Sequence, residues 1–432
     1  MARVEHKGIY FGWAIVASAT VLTLLTVGLR LSIGPFFLPM AHDLGLDRSE
    51  LSSIVAVGMM VYGLSMPAVG QLVSTWGTRN VLLVGTVVVA ASVAGTVLAT
   101  SWVGLLLSFG VGLSVGLALA SPVTFTPIIS RWFIRQRGMA LFSLSAGSMA
   151  GIAILTPVFT SAIDTLGWRE TMAGFALLYA LAAIPSALWV IREQAPENAD
   201  LPGDIGDRPA AKNSTARSPQ PVRSAPPAAA PLSLREAVHT APFWQIVFGL
   251  FACGFSMNLL GTHGMPMLMD HGFSAHTSSF GIALIGLMAI LSSLGLGKLS
   301  DVVQRRSILA TIYIVRGLGF FGLVEAVSPW QLYGVAAIGG VVWAGSVALS
   351  SAILADVYGT RLVGVLYGLA YVSHQIGGTI SSWLGGWAYE HFHTHLVAFG
   401  TAGALLFVAA AISLRLPRRG VAFVSATALA AH

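Results

Sequence analysis

Apolar residues in this 432-residue chain gather into about twelve runs of 20 or more, and that alone restricts the fold. A run of about 18 or more residues with few charges is long enough to cross the hydrocarbon core of a bilayer as a helix. Backbone placed there must close its hydrogen bonds within the helix, because no water is available to take them. The runs fall near residues 9–39, 50–74, 80–100, 102–130, 138–163 and 168–191. A second six fall near 242–266, 277–298, 307–326, 329–353, 361–385 and 394–415. Only 9% of the residues are charged, against about 25% in a soluble domain, too few to coat a water-facing surface. The expected fold is an all-α membrane protein of 12 transmembrane helices.

Outside the runs, one alternating set of loops and termini carries 19 Lys and Arg, whereas the other carries only Arg48 and Arg169. Basic loops stay on the cytoplasmic side, so both termini are expected there, in a multi-pass protein of a bacterial-type inner membrane. The net charge of +6 follows from this bias and needs no nucleic acid to explain it. The first run passes through Gly34, Pro35 and Pro39 without a cleavage site and is too long for a signal-peptide core, so it reads as the first span. The single Cys253 lies inside the seventh run, which excludes an intrachain disulfide and a cysteine-based metal cluster. Residues 193–236, with "RSPQPVRSAPPAAAP", cannot bury a core and read as a disordered cytoplasmic linker. They divide the chain into a first bundle, 1–192, and a second, 237–432.

The halves echo one another. "GQLVSTWGTR" starts at Gly70 and "GKLSDVVQRR" at Gly297, each after the second run of its half and 227 positions apart. Gly297, Leu299, Asp301, Arg305 and Arg306 in the second copy, and Gly70, Leu72, Gly77 and Arg79 in the first, resemble the signature loop of the major facilitator superfamily. Ser74 stands where the first copy should have an acid, and Gln304 where the second should have a Gly. "GWAIV" at Gly12 and Trp13, "RWFIRQRGMALFSLSAGSMAG" from Arg131 to Gly151, "GWRETMAGF" from Gly167, "HQIGG" and "LGGWAYE" are similar to the monocarboxylate-porter and oxalate/formate-antiporter branch. Phe142 departs from that pattern, where the branch usually has Gly. The resemblance implies two pseudo-symmetric six-helix bundles that rock about a central site, and a monomeric transport unit. It also implies that the basic loops act as latches, with Asp301 meeting Arg131, Arg135 and Arg137, and Arg79 meeting Asp356 in place of the acid missing at Ser74. The alternative is that these charges only set topology.

Polar side chains inside the spans are candidates for the pathway. Arg30, deep in "TVGLRLSIG", has no acid in its own span; a charge at mid-membrane costs about 2.5–3.5 kcal/mol on insertion scales, so it should face a cavity or a partner. Its planar fork suits a carboxylate, and the resemblance places the first span on the cavity. Outward snorkelling, or packing on carbonyls of the seventh span, stands as the other reading. Arg316 in the ninth span is expected to be structural, with Glu325 too near the outer end to be its assured partner. Tyr367, Tyr371, His374 and Gly378 share one face of the eleventh span by their spacing. His374 could contact substrate and carry a proton, or be a hydrogen-bonded structural histidine. Asn258 and His263 form a smaller polar set in the seventh span, with His263 the second candidate proton site.

Other chemistry is not supported. The middle of the eighth span, "GIALIGLMAILSSLGLG", lacks the Arg and Asp of the porters resembled, and the eleventh lacks a dicarboxylate exchanger's lysine. One cation fits a monoanion better than oxalate. No acid sits mid-span in the first, second, fourth, fifth, seventh, eighth, tenth or eleventh run, against a cationic-drug antiporter. "GGVVWAGS" lacks the Lys-Ser/Thr ending of a phosphate loop, so no nucleotide-driven pump is indicated. "HFHTH", with His391, His393 and His395, has metal-tag composition in a short outer loop, without helical ligand spacing. No nucleophile, base and orienting acid recur together, so no enzyme and no cofactor are expected. The expected function is proton-coupled secondary transport of a small monocarboxylate across the bilayer. Proton-independent exchange of an anion or metabolite, and a non-transporting sensor on the same scaffold, are the alternatives.

Overall fold

The computed structural model describes residues 10–133, 136–195 and 233–417, and among them it is helical with no strand. The first half contains α1 (Gly12–Leu31), α2 (Gly34–Leu44), α3 (Arg48–Leu98), α4 (Trp102–Trp132), α5 (Arg137–Leu166) and α6 (Trp168–Val190). The second contains α7 (Ala241–Asp270), α8 (Ala275–Val302), α9 (Arg305–Val324), α10 (Pro329–Tyr358), α11 (Thr360–Phe392) and α12 (Leu396–Ser413). The 51 residues of α3 make two spans, bent where Gly77 takes φ +81°, a backbone conformation that residues with a Cβ rarely hold. With α1 and α2 forming one span, twelve membrane-length passes result. The corresponding turn in the second half has Gln304 at φ −62°, ψ 121°, which explains why the glycine of the motif is dispensable there. Most of the linker expected at 193–236 lies outside the described residues.

The first span is not the continuous helix that its apolar run suggested. Ser32, at φ −109° and ψ 37°, closes α1, and Pro35 sits in the first turn of α2, where its missing N–H leaves no bond unmade. Thr156 of α5 donates to Ser32 Oγ at 2.8 Å, tying the break to its neighbour.

Within the first half, small residues let α1 and α5 touch backbone to backbone. A Cβ at Gly151 would lie 2.5 Å from Gly28 Cα and from the Leu24 carbonyl, and one at Gly147 would lie 2.6 Å from the Thr20 carbonyl. The "AGSMAG" motif is therefore a packing surface for α1. Two other branch-like segments, one at Gly12 and Trp13 and one from Arg131 to Phe133, meet at the end of the bundle carrying the termini: the Trp13 and Phe133 rings lie 5.0 Å apart, and Tyr10 donates to the Trp132 carbonyl at 2.8 Å.

The halves meet along α3 with α11, α5 with α8, and α1 and α2 with α7. At the end remote from the termini they are fastened. Arg48 pairs with Asp270 and lies over the Tyr389 ring, the Ser49 N–H donates to Glu390 at 2.8 Å, and His276 reaches Asp164 at 3.1 Å. His395 Nε2 lies 2.8 Å from the same Asp270. At the terminal end no ion pair crosses between halves among the described residues, and Gly138, Gly295, Gly297, Gly364 and Gly368 have open space where a side chain would project. The molecule is closed at one end and parted at the other.

That parting decides the latch residues. Asp356 is held by Arg305 of its own half at 2.6 Å instead of by Arg79, whose backbone N–H donates to Glu193. Arg131 likewise pairs inside its own half with Glu193 at 3.4 Å, and Arg306 binds the carbonyls of Leu414 and Leu416. Ser74, in place of the missing acid, donates to the Gln71 carbonyl of its own turn. Arg135 and the side chains of Arg137 and Asp301 lie outside the described residues, as does any contact between them.

Gly151→Val should lower the thermal unfolding midpoint in detergent, since overpacking costs about 1–3 kcal/mol. Gly174→Val, where nothing lies within 4 Å, is the control and should leave the midpoint in place.

Candidate functional site

The close contact at Gly28 aims Arg30. Two residues further along an α-helix is a rotation of about 200°, so when Gly28 faces α5, Arg30 faces away from it, towards α3 and α7. Its Nη1 donates to Met59 Sδ at 3.5 Å, its Nη2 to Asn258 Oδ1 at 3.4 Å, and its guanidinium lies 4.5 Å from the centre of the Tyr62 ring. All three partners are neutral, both hydrogen bonds are long, and Nε is buried without a partner. None of the ion pairs among the described residues includes Arg30. The guanidinium sits in the last turn of α1, where the helix presents the negative end of its dipole and favours a cation. Arg30 neither snorkels to an aqueous end nor packs on carbonyls of α7: it spans from the first half to a side chain of the second.

Asn258 is 1% exposed, and its Nδ2 donates to the Gly254 carbonyl at 2.8 Å. Gly378 of α11 makes room for it: a Cβ there would lie 2.4 Å from Asn258 Nδ2. The polar stripe on α11 forms a continuous stack. Tyr371 and His374 lie 4.8 Å apart with planes 9° from parallel, and Tyr367 follows at 5.7 Å from Tyr371. His374 Nδ1 is 3.3 Å from Gln375 Oε1, while its Nε2 is buried and unbonded. Gln375 Nε2 is also buried without a partner, and its side chain packs against Gly63 of α3. Beside Arg30 lies a small crevice of about 30 Å³, walled by α1, α3 and α4.

Met59, Tyr62 and Gln375 belong to this group and were not singled out from the sequence. Tyr62 and Gln375 are polar residues inside apolar runs, which was the available signal; Met59 carried none. His263 falls elsewhere. Its Nε2 is 2.8 Å from the Ser382 carbonyl, its ring lies 5.0 Å from Phe37, and Gly385 leaves space for it. It stands five residues beyond Asn258 towards the fastened end, about 7.5 Å along the helix, with its bonding met.

Arg316 is a structural clip. The chain of α10 turns at Val342 and Trp343, freeing their carbonyls, and Arg316 Nη2 donates to both and to Ser346 Oγ. Its Nη1 points to Cys253 Sγ at 3.3 Å. The histidines of "HFHTH" separate: His391 bonds the Trp387 carbonyl, His393 closes α11 in a left-handed conformation, and His395 joins Asp270. No group of three His, Cys, Asp or Glu able to hold a metal is assembled among the described residues.

The family model described as Major Facilitator Superfamily matches residues 16–324 and 264–429. The chain is 24% identical over 420 residues to the uncharacterized MFS-type transporter YcxA of Bacillus subtilis, covering 93% of this chain and 94% of the relative. It is 27% identical over 426 residues to monocarboxylate transporter 11 of Homo sapiens, covering 94% and 83%. Among solved structures, a bacterial homologue of the human lysosomal transporter Spinster, inward-facing and occupied, superposes with a TM-score of 0.71 at 14% identity. That match covers 94% of this chain and 97% of the other.

Arg316→Gln should destabilise the protein strongly, because buried carbonyls left unsatisfied cost about 1–3 kcal/mol each. Arg30→Gln, which removes only long contacts to neutral groups, should leave the unfolding midpoint within a degree or two of wild type. Both are read by thermal unfolding of the purified protein followed by intrinsic fluorescence.

Proposed function

This chain belongs to the Major Facilitator Superfamily, and from that premise we propose that it is a secondary active transporter that moves a small organic monocarboxylate together with a proton by alternating access. The observation that carries the reading is Arg30: a half-buried cation with no acid partner, strung between the two halves on weak neutral contacts. A carboxylate would replace Met59 and Asn258 with two parallel charge-assisted bonds, shorter than the present ones at about 2.7–2.9 Å. The names of two human and bovine relatives, monocarboxylate transporters 11 and 13, support that class of substrate.

Coupling follows from where these groups are anchored. Arg30, Met59 and Tyr62 move with the first half, and Asn258, Tyr371 and His374 with the second. A bound anion that engages both sides draws the parted end together. His374 stacks on Tyr371 of the same group. Protonated, it would donate to the bound carboxylate as well, so that the anion and the proton enter together. With both termini in the cytoplasm of a bacterial inner membrane, the present conformation is the inward-open one. The latch of Asp301 with Arg131, Arg135 and Arg137 would belong to the opposite state.

The test is uptake of labelled pyruvate and lactate into proteoliposomes with and without an inside-alkaline gradient. Wild type should accumulate label only with the gradient. Arg30→Gln should reduce uptake roughly tenfold to a hundredfold, the range for a lost hydrogen bond to charge of about 1.5–3 kcal/mol. His374→Gln should abolish the response to the gradient while retaining exchange of internal for external acid. Full uptake by Arg30→Gln, or gradient-driven uptake by His374→Gln, would overturn the corresponding assignment.

A further inference from the structure

Asn258 constrains the atom that follows the carboxylate. Its side chain is 1% exposed and held at both ends: Nδ2 donates to the Gly254 carbonyl at 2.8 Å, and Oδ1 accepts from Arg30 Nη2 at 3.4 Å. Turning the amide over would set Oδ1 against the Gly254 carbonyl, acceptor against acceptor. The nitrogen is also crowded by Gly378 of α11, where an added Cβ would lie only 2.4 Å from it. The edge of Asn258 that faces Arg30 is therefore fixed as an acceptor. Among the described residues Arg30 is the one donor bonded to that oxygen.

Binding of an anion removes that donor. A carboxylate that takes both Nη groups of Arg30 leaves Oδ1 buried and unpaired, which costs affinity unless the ligand itself brings an O–H or N–H there. In a short acid, the group placed to do so is the substituent on C2. A 2-hydroxyl can donate to Oδ1. An unsubstituted C2 leaves the oxygen unpaired, and a 2-oxo oxygen turns a lone pair towards it.

We propose that Asn258 is a specificity-determining residue that reads a hydrogen-bond donor on C2, so that the carrier binds a 2-hydroxy monocarboxylate more tightly than its unsubstituted or 2-oxo counterpart. This rests on the reading of Arg30 as the anion site. Lactate and pyruvate are both carried, and lactate is the better ligand. A site built to hydrogen-bond a hydroxyl discriminates more sharply than an apolar pocket, since the wrong ligand leaves a buried group without its bond.

The experiment is equilibrium binding of radiolabelled lactate, propanoate and pyruvate, each on its own, to the full chain in nanodiscs, with empty nanodiscs subtracted. The three acids share one carbon skeleton, so size does not enter the comparison. Lactate should bind about fivefold to a hundredfold more tightly than propanoate, the range for a buried acceptor left unpaired, and pyruvate no more tightly than propanoate. Asn258→Ala should weaken lactate alone and bring the three affinities together. A general loss of fold would weaken all three alike and keep their ranking, so it cannot imitate this result. Equal affinities in wild type that Arg30→Gln abolishes, or a lactate preference that survives Asn258→Ala, overturn the role of Asn258 and leave the anion site standing. Lactate binding that Arg30→Gln does not weaken, or no lactate binding by wild type, overturns the anion site itself, and the proposal with it.

Discussion

Every pass of this chain through hydrocarbon must satisfy its own backbone, and the informative places are those where a helix fails to do so. Three breaks fall inside spans, one of them at Ala120 and Ser121 of α4, where Thr26 of α1 donates to the Ala120 carbonyl. At Ser32 the helix stops, restarts through Pro35 and borrows a hydroxyl from Thr156. At Val342 and Trp343 the freed carbonyls are taken by a buried guanidinium from α9. The two arginines of the interior are thus separated by what surrounds them. Arg316 has its charge absorbed by carbonyls that would otherwise be orphaned, while Arg30 stands at a helix end on one bond to a thioether and one long bond to an amide; the Nε of each is without a partner. Burial alone would have ranked Arg316, at 1% exposure, as the more unusual group. The state of its hydrogen bonds marks it as structural and leaves Arg30 for function.

Much of the architecture was legible because membrane passage imposes a length and a composition that local sequence must meet. The run lengths located the spans, and the repeated loop located the two halves. The break at Ser32 was hidden because Leu31, Ile33 and Phe36 keep the run apolar across it. The site was legible where a residue's chemistry is costly in hydrocarbon, as for Arg30, Asn258 and His374. It was not legible for Met59, Tyr62 and Gln375, whose side chains are cheap enough to occur in any span and gain meaning only from the neighbour they face. His263 shows another arrangement: its Nε2 meets the Ser382 carbonyl and its ring lies against Phe37. The partners of Asp356 could not be read at all, since they depend on which end of the molecule is parted.

Small residues carry the precision of the site. Gly28 and Gly151 bring α1 onto α5, and Gly254, whose added Cβ would lie 1.9 Å from the His374 carbonyl, brings α7 onto α11. Such close approach fixes the angle at which each half presents its polar groups. A loose pair of bundles would place Arg30 and Asn258 at no particular distance.

At the fastened end, Asp270 is shared by two partners from opposite halves: Arg48 across the interface and His395 within its own half. When that interface opens, the Asp270 carboxylate keeps its histidine, and within this cluster the guanidinium of Arg48 is the group left to water. The clasp is asymmetric, so separation costs one solvated contact instead of two buried charges, and the carrier can turn over without lifting a deep electrostatic weight on each cycle.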